Sequence, residues 1–298
     1  MFAVPELVEV ETIKNVLAPQ LCGRRITGLW LERPEIVAHP DADTACARLR
    51  NARMEALGRR GKYLTFTLST GDTLVLHLRM TGQLLYTPPG FPDIPYTRAV
   101  FSLDDGGALR FADLRRFGRI WLLCAGETDT FTGMKALGPE PFDPGVDAAY
   151  LLKMLGKSRR ALKACLLDQH VLAGVGNIYA DEILFAARLH PALTACMLDL
   201  GQWETLAAAI PIVLKDNIEK NRISPDAYLR SLGRKYRNTP FFNVYGRAGK
   251  PCVRCGAALA RMTVSGRGSC FCPHCQNLPG SAEMGEKAAV QSENTGKA

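Results

Sequence analysis

Cys252-Val253-Arg254-Cys255 and Cys272-Pro273-His274-Cys275 are two CxxC knuckles with 16 residues between them. Four thiolates on two tight turns suit one tetrahedral zinc ion with no position left open for chemistry. The metal is therefore expected to hold a hairpin together. A redox dithiol pair is the competing reading, and the doubled spacing favours zinc. The stretch between the knuckles places Gly266-Arg267-Gly268 at the expected hairpin tip. A cationic tip on a zinc-held hairpin, in a chain of formal charge +8 and pI about 9.0, points towards nucleic acid. Cys270 also lies between the knuckles, but it lacks a CxxC partner and is not counted as a ligand.

Outside this module the chain is ordinary globular material. Its 298 residues are 47% hydrophobic and 22% charged, enough for one large or two ordinary domains. No apolar run has the length of a membrane span and no signal-peptide pattern opens the chain, so a cytoplasmic location is expected. Cys22, Cys46, Cys124, Cys165 and Cys196 are scattered singly, as free thiols are in a reducing compartment. The region from about Ile26 to Leu123 reads as mostly β. Leu74, Leu76 and Leu78 alternate with Thr73, Val75 and His77, and turn signals recur at Gly71 and Gly106-Gly107. Short strands at this spacing suggest a sandwich. A helix is expected over Val10 to Leu17, limited by Pro19. Leu137 to Gly145 is rich in breakers and reads as a linker. Helical spacing follows over Ala148–Leu155, Ser158–Leu167 and Asn177–Ala187. A long helix then carries the stripe Trp203, Leu206, Ile210 and Leu214, with a kink expected at Pro211. Lys220 to Thr239 is basic and irregular. Residues after Asn277 have little to bury and are expected to be disordered.

Several segments could carry chemistry. Ala173-Gly174-Val175-Gly176-Asn177 sets two glycines before a helix start, where exposed N–H groups and the Asn177 side chain would seat a phosphate. Pro5-Glu6-Leu7-Val8-Glu9 places carboxylates at a helix start, where they ordinarily serve as dipole partners. Gly58-Arg59-Arg60-Gly61-Lys62, His77-Leu78-Arg79-Met80 and Asp113-Leu114-Arg115-Arg116-Phe117-Gly118 are basic loops, two of them with a large apolar side chain. Any one of these has an ordinary structural reading. Three such loops on one β domain, with a phosphate seat and a cationic finger, are harder to dismiss together.

In this order these motifs, with Leu137-Gly138-Pro139-Glu140-Pro141 and the finger ending in Gln276, resemble the bacterial formamidopyrimidine-DNA glycosylases of the formamidopyrimidine/endonuclease VIII family, from Pro5 to Gln276. The resemblance implies an α+β chain: a β-sandwich domain (1–136), a linker (137–147), a helix–two-turns–helix domain (148–243), a zinc finger (244–276) and a disordered tail (277–298). It implies a bacterial repair enzyme, monomeric and free of membranes, that excises oxidised purines from double-stranded DNA and cleaves the abasic strand. Pro5 would be the amine nucleophile, Glu6 the acid/base and Lys62 a phosphate contact beside the lesion. Met80, Arg115 and Phe117 would fill the void left by an extruded nucleotide. Asn177 and Arg267, with Lys163 as a further candidate, would clamp backbone phosphates. Cys252, Cys255, Cys272 and Cys275 would hold one structural Zn2+.

Some positions depart from the family pattern. Pro5 follows Met1-Phe2-Ala3-Val4, where its nitrogen is an amide. The expectation is that translation starts at Val4, read from GTG, and that removal of the initiator frees Pro5. Without that, the chain reads as a non-catalytic DNA-binding paralogue. Val8 stands in place of a proline, and Arg79 in place of a glycine. Asn221-Arg222-Ile223-Ser224-Pro225 stands where a Gly-Gly-Thr/Ser-Thr run usually folds over 8-oxoguanine, which leaves the preferred lesion open. A pyrimidine-lesion enzyme fits less well, because Met80 and Arg115-Arg116-Phe117 are closer to the purine-lesion branch.

Overall fold

The computed structural model describes residues 5–234 and 241–278. The expectations for residues 1–4, for 235–239 of the basic segment and for the tail from 279 lie outside the described residues. The chain forms two compact units. The first comprises Met1–Pro141, Gln169–Val175 and Leu214–Pro240. The second comprises Phe142–Asp168, Gly176–Val213 and Phe241–Ala298. Segments 169–175 and 214–234 thus group with the β-rich part, which a contiguous division at residue 148 does not show.

In the first unit a four-stranded antiparallel sheet runs in the order β1 (Ile26–Leu31), β7 (Thr97–Leu103), β8 (Ala108–Asp113), β6 (Gly82–Thr87). A five-stranded sheet runs β2 (Val37–His39), β9 (Arg119–Leu123), β5 (Thr73–His77), β4 (Tyr63–Leu68), β3 (Met54–Arg60), with only β2 and β9 parallel. Their inner faces meet α1 (Leu7–Leu21) in one core. Val10, Ile13 and Leu17 of the helix join Leu64, Phe66, Leu74, Leu76, Leu84, Phe101 and Phe111. The sandwich expected from the alternating leucines is present. Val75, on the opposite phase of β5, is not solvent-facing: it is fully buried with Tyr63, Trp121 and Leu123 beneath Phe131, Met134 and Leu137. That outer cover is why both phases of the strand are apolar.

Two helical expectations change. Pro19 lies inside α1, near its end, because only the bond to the Asn15 carbonyl is lost there. The β region also contains α2 (Ala42–Leu49), capped by Asp41, whose Oδ1 accepts the Thr44 N–H at 2.9 Å.

In the second unit α3 (Ala148–Leu155) and α5 (Asn177–Ala186) fall where expected. α4 is only Leu162–Leu166, because Ser158 to Leu162 bonds as extended chain to residues 193–196. α6 runs unbroken from Leu200 to Lys220 with Pro211 inside it. A short α7 (Pro225–Arg230), capped by Ser224, lies within the segment read as irregular. The hairpin of β10 (Ala260–Val264) and β11 (Arg267–Phe271) turns through Ser265 and Gly266, both at positive φ, as tight two-residue hairpins require. Arg267 is therefore the first residue of the returning strand. Among the described residues no helix is long and apolar enough to cross a membrane.

Candidate active site and nucleic-acid interface

The first unit brings three separated motifs together. Pro5 is buried at the foot of α1, and the Glu6 N–H donates to Glu9 Oε2 at 2.9 Å. The next amide, Leu7 N, donates to the Gly174 carbonyl at 3.1 Å. Gly174 has φ +85°, and a Cβ there would meet the Leu7 side chain at 2.7 Å, so only glycine fits. Gln169 fastens this loop, accepting the Gly174 N–H at 2.9 Å and donating to the Val175 carbonyl at 2.7 Å. The β3–β4 turn arrives from another side. A Cβ on Gly61 would lie 3.1 Å from Leu137 Cδ1 and 3.6 Å from Gly174 N. Half-buried Lys62 follows Gly61 directly in this turn.

Glu140 holds that turn. Its carboxylate accepts from Arg59 at 2.7 Å, Arg60 at 3.0 Å and the Gly61 N–H at 2.7 Å. Arg59 also binds Glu11 at 2.8 Å. Burial works against the Glu11 charge, but Lys14 and Arg59 hold its carboxyl below the usual range. Sequence reasoning treated residues 137–145 as a spacer and missed Glu140. The available signal was a lone acid set between two prolines, Pro139 and Pro141.

His77, at the end of β5, faces the same cationic surroundings. Burial first, then the Arg79 and Lys62 charges, hold it down to about 3 from 6.5. A base held below its unfolded pKa costs nothing above pH 6.5 and costs stability as pH falls from there towards 3. Wild-type protein should therefore lose about 2 kcal/mol more than His77→Gln between pH 6.5 and pH 5, read by urea unfolding. Equal losses would show that His77 is freely protonated.

Met80, Arg115 and Phe117 form one exposed cluster. The Arg115 guanidinium donates to Met80 Sδ at 3.1 Å and lies 4.6 Å from the Phe117 ring centre. Buried Asp113 organises the loop beneath them. Its Oδ2 accepts the Gly118 N–H at 2.8 Å, and its Oδ1 accepts the Arg115 N–H at 3.2 Å and the Thr81 hydroxyl. Asn221, from the stretch aligned with the family's glycine run, is buried, and Arg222, Ile223 and Ser224 of that stretch line a cleft of about 560 Å³ with Thr12, Asn15, Val16 and Ile218.

The second unit holds the finger. The four sulfurs of Cys252, Cys255, Cys272 and Cys275 lie within 4.8 Å of one another. Two separations are 4.0 and 3.5 Å, close to the edge of about 3.8 Å that a tetrahedral Zn–S4 site requires. Each knuckle aims a backbone N–H at a sulfur, Arg254 N at Cys252 and Cys275 N at Cys272. Burial opposes the Cys252 thiolate, yet the Arg254 and Cys255 N–H groups, with the neighbouring Cys272 and Cys255 thiols, hold its thiol at about 7. Cys275, half-buried and crowded by the other sulfurs, is pushed up to about 12. A dication relieves that crowding, so the donor set fits a structural zinc site. Cys270 packs in the finger's apolar core and is no part of the sulfur cluster.

The finger is bound to α5 along its length. Arg254 donates to the Phe185 and Ala186 carbonyls at the helix end. Asp181 accepts the Ser269 hydroxyl at 2.6 Å and the Cys270 N–H at 2.9 Å. Glu182 accepts the backbone N–H groups of Asn243, Val244 and Tyr245, each at 2.9 Å. Neither acid was singled out from sequence; the sign was two adjacent carboxylates in an otherwise apolar, buried helix. Asn177, at the start of α5, donates to the Gly268 carbonyl at 3.1 Å, beside exposed Arg267. Lys163 requires a correction. It is fully buried, paired with Asp181 at 2.7 Å and donating to the Gly268 carbonyl at 2.8 Å, and cannot reach a phosphate directly.

The comparisons agree along most of the chain. Residues 4–120 match the formamidopyrimidine-DNA glycosylase N-terminal domain, 137–227 its H2TH domain, and 249–278 the zinc finger found in FPG and IleRS. A formamidopyrimidine-DNA glycosylase of Moorella thermoacetica is 45% identical over 87% of this chain and 94% of its own. That of Chloroflexus aggregans is 43% identical over 92% of this chain and 99% of its own. The Lactococcus lactis Fpg, solved in complex with DNA containing an abasic site, superposes with a TM-score of 0.83 at 32% identity, covering 92% of this chain and all of that one. A second structure of that protein holds Fapy-dG-containing DNA and matches equally well. With this geometry and these matches, the chain belongs to the formamidopyrimidine-DNA glycosylase family.

Proposed function

We propose that this chain excises oxidised purines from duplex DNA and then cuts the abasic strand through an amine intermediate on Pro5. The convergence of the Pro5–Leu7 segment, the Lys62 turn and the Gly174 loop supports this reading above all. Freed of residues 1–4, the Pro5 nitrogen is a secondary α-amine with a pKa of about 8, partly unprotonated near neutrality. It attacks C1′ of the extruded nucleotide, the glycosidic bond breaks, and the base leaves with a proton. Glu6 protonates the ring oxygen as the sugar opens to the iminium and then serves as base, the iminium acidifying the C2′ protons. Loss of a C2′ proton expels the 3′ phosphate (β-elimination), and loss of the C4′ proton, acidified through the conjugated iminium, expels the 5′ phosphate (δ-elimination). Lys62 stabilises phosphate beside the lesion.

Met80, Arg115 and Phe117 occupy the gap left by extrusion, with Phe117 as the wedge and Arg115 facing the unpaired base. Their mutual contacts suit insertion as a unit. In the second unit Asn177 and Arg267 grip phosphates. The test is incision of duplexes carrying a formamidopyrimidine, 8-oxoguanine or an oxidised pyrimidine. The formamidopyrimidine is expected to be cut fastest, and Phe117→Ala to slow it roughly tenfold or more while sparing a pre-formed abasic site. Preference for the oxidised pyrimidine would overturn the purine assignment.

A further inference from the structure

We infer that the buried Lys163–Asp181 pair is a positioning device for the phosphate clamp, fixing the strand that carries Arg267 without touching nucleic acid itself. This rests on the reading of Asn177 and Arg267 as that clamp.

The three residues that follow Arg267 are all tied to this pair. The Gly268 carbonyl accepts from Lys163 Nζ at 2.8 Å. The Ser269 hydroxyl donates to Asp181 Oδ1 at 2.6 Å, and the Cys270 N–H donates to Oδ2 at 2.9 Å. Lys163 closes the ring on Asp181 at 2.7 Å, and both side chains are almost wholly buried. The zinc holds the opposite end of β11 through Cys272, five residues from Arg267. A two-stranded hairpin is marginal on its own, so the arginine end needs a second anchor.

The choice of groups also suits an anion. A carbonyl next to a phosphate repels it. The Gly268 carbonyl is instead covered by two donors, Lys163 and the Asn177 amide at 3.1 Å. The pair adds no net charge, so the attraction is left to Arg267. Burying an ion pair is costly compared with apolar side chains of similar volume, which makes sheer stability a poor reason for it.

The experiment measures binding of full-length, zinc-loaded protein to a duplex holding a tetrahydrofuran abasic analogue, across a salt series. Lys163→Met is expected to weaken binding about tenfold and to flatten the log–log salt slope by about one phosphate contact. Arg267→Ala should do the same, and the double variant should be no worse than Arg267→Ala alone, because both remove one contact. Zinc content should remain one per chain. Additive losses in the double variant, or an unchanged slope in Lys163→Met, would overturn the inference. If Arg267→Ala itself leaves the slope unaltered, the clamp reading fails first. Should Lys163→Met not fold, Lys163→Met with Asp181→Asn leaves no charge unpaired and carries the same readings. Wild-type affinity in that variant, or its failure to take up zinc, would equally overturn the proposal.

Discussion

Protein whose mature chain begins at Pro5 is expected to be trapped covalently on an abasic duplex by borohydride. Protein retaining residues 1–4 is expected to be trapped at least roughly 10³-fold less. The reason is electronic. In a peptide bond the nitrogen lone pair is delocalised into the carbonyl, and a proline amide has no proton to lose, so it cannot form an iminium. As a free secondary amine the same atom is nucleophilic, with about a tenth unprotonated at pH 7. The anchoring of Leu7 to Gly174 and of Glu6 to Glu9 holds the segment in place. Glu6→Gln should slow release of a damaged base yet still permit trapping on a pre-formed abasic site. Intact mass, measured on the same native material, identifies which N-terminus is present. Normal strand cleavage by protein that still carries Met1 to Val4 would eliminate Pro5 as the nucleophile.

Loss of zinc is expected to lower duplex binding by about 100-fold or more while leaving trapping on a short single-stranded abasic oligonucleotide within a few-fold of normal. A structural zinc of this kind contributes roughly 10–16 kcal/mol of apparent binding energy, more than a 30-residue finger can replace. Cys272 is fully buried and packs with Phe185, Val244 and Leu259, so its removal takes apart both the metal site and the small core around it. The amine chemistry is placed in the first unit and does not use the finger. Cys272→Ala and chelation should agree, with zinc content followed by atomic absorption. Undiminished duplex binding by metal-free protein would rule out the finger as part of the DNA grip.

The fold was legible wherever one period dominated. Alternating leucines on β5, the doubled CxxC and the glycines before Asn177 announced themselves because each needs a particular residue type at a fixed spacing. Pro19 misled because a proline near a helix end costs little, and the sequence does not say how near the end it is. The burial of Val75 was not legible because its cover comes from residues 131–137, far along the chain. The same limit applies to the site. Residues that would meet DNA belong to recognisable motifs, but the carboxylates that orient them do not. Asp113, Glu140, Asp181 and Glu182 act on loops from within, and their partners are set by tertiary packing rather than by neighbours in sequence. Lys163 shows the reverse error, since a lysine in a basic protein reads as exposed until its burial is seen.

Glu140 gives the joint between the β-rich and helical sequence regions a fixed length. Its carboxylate must reach two guanidiniums and one amide of the β3–β4 turn at once, and the neighbouring Leu137 and Gly138 carbonyls bind Arg60 at 2.9 and 2.6 Å. Lengthening residues 137–141 by even one amino acid would put these groups out of register. A chimaera that exchanges the C-terminal half of this chain for that of a relative should therefore be cut after Pro141, not before Leu137, so that the acid and its arginines come from one parent.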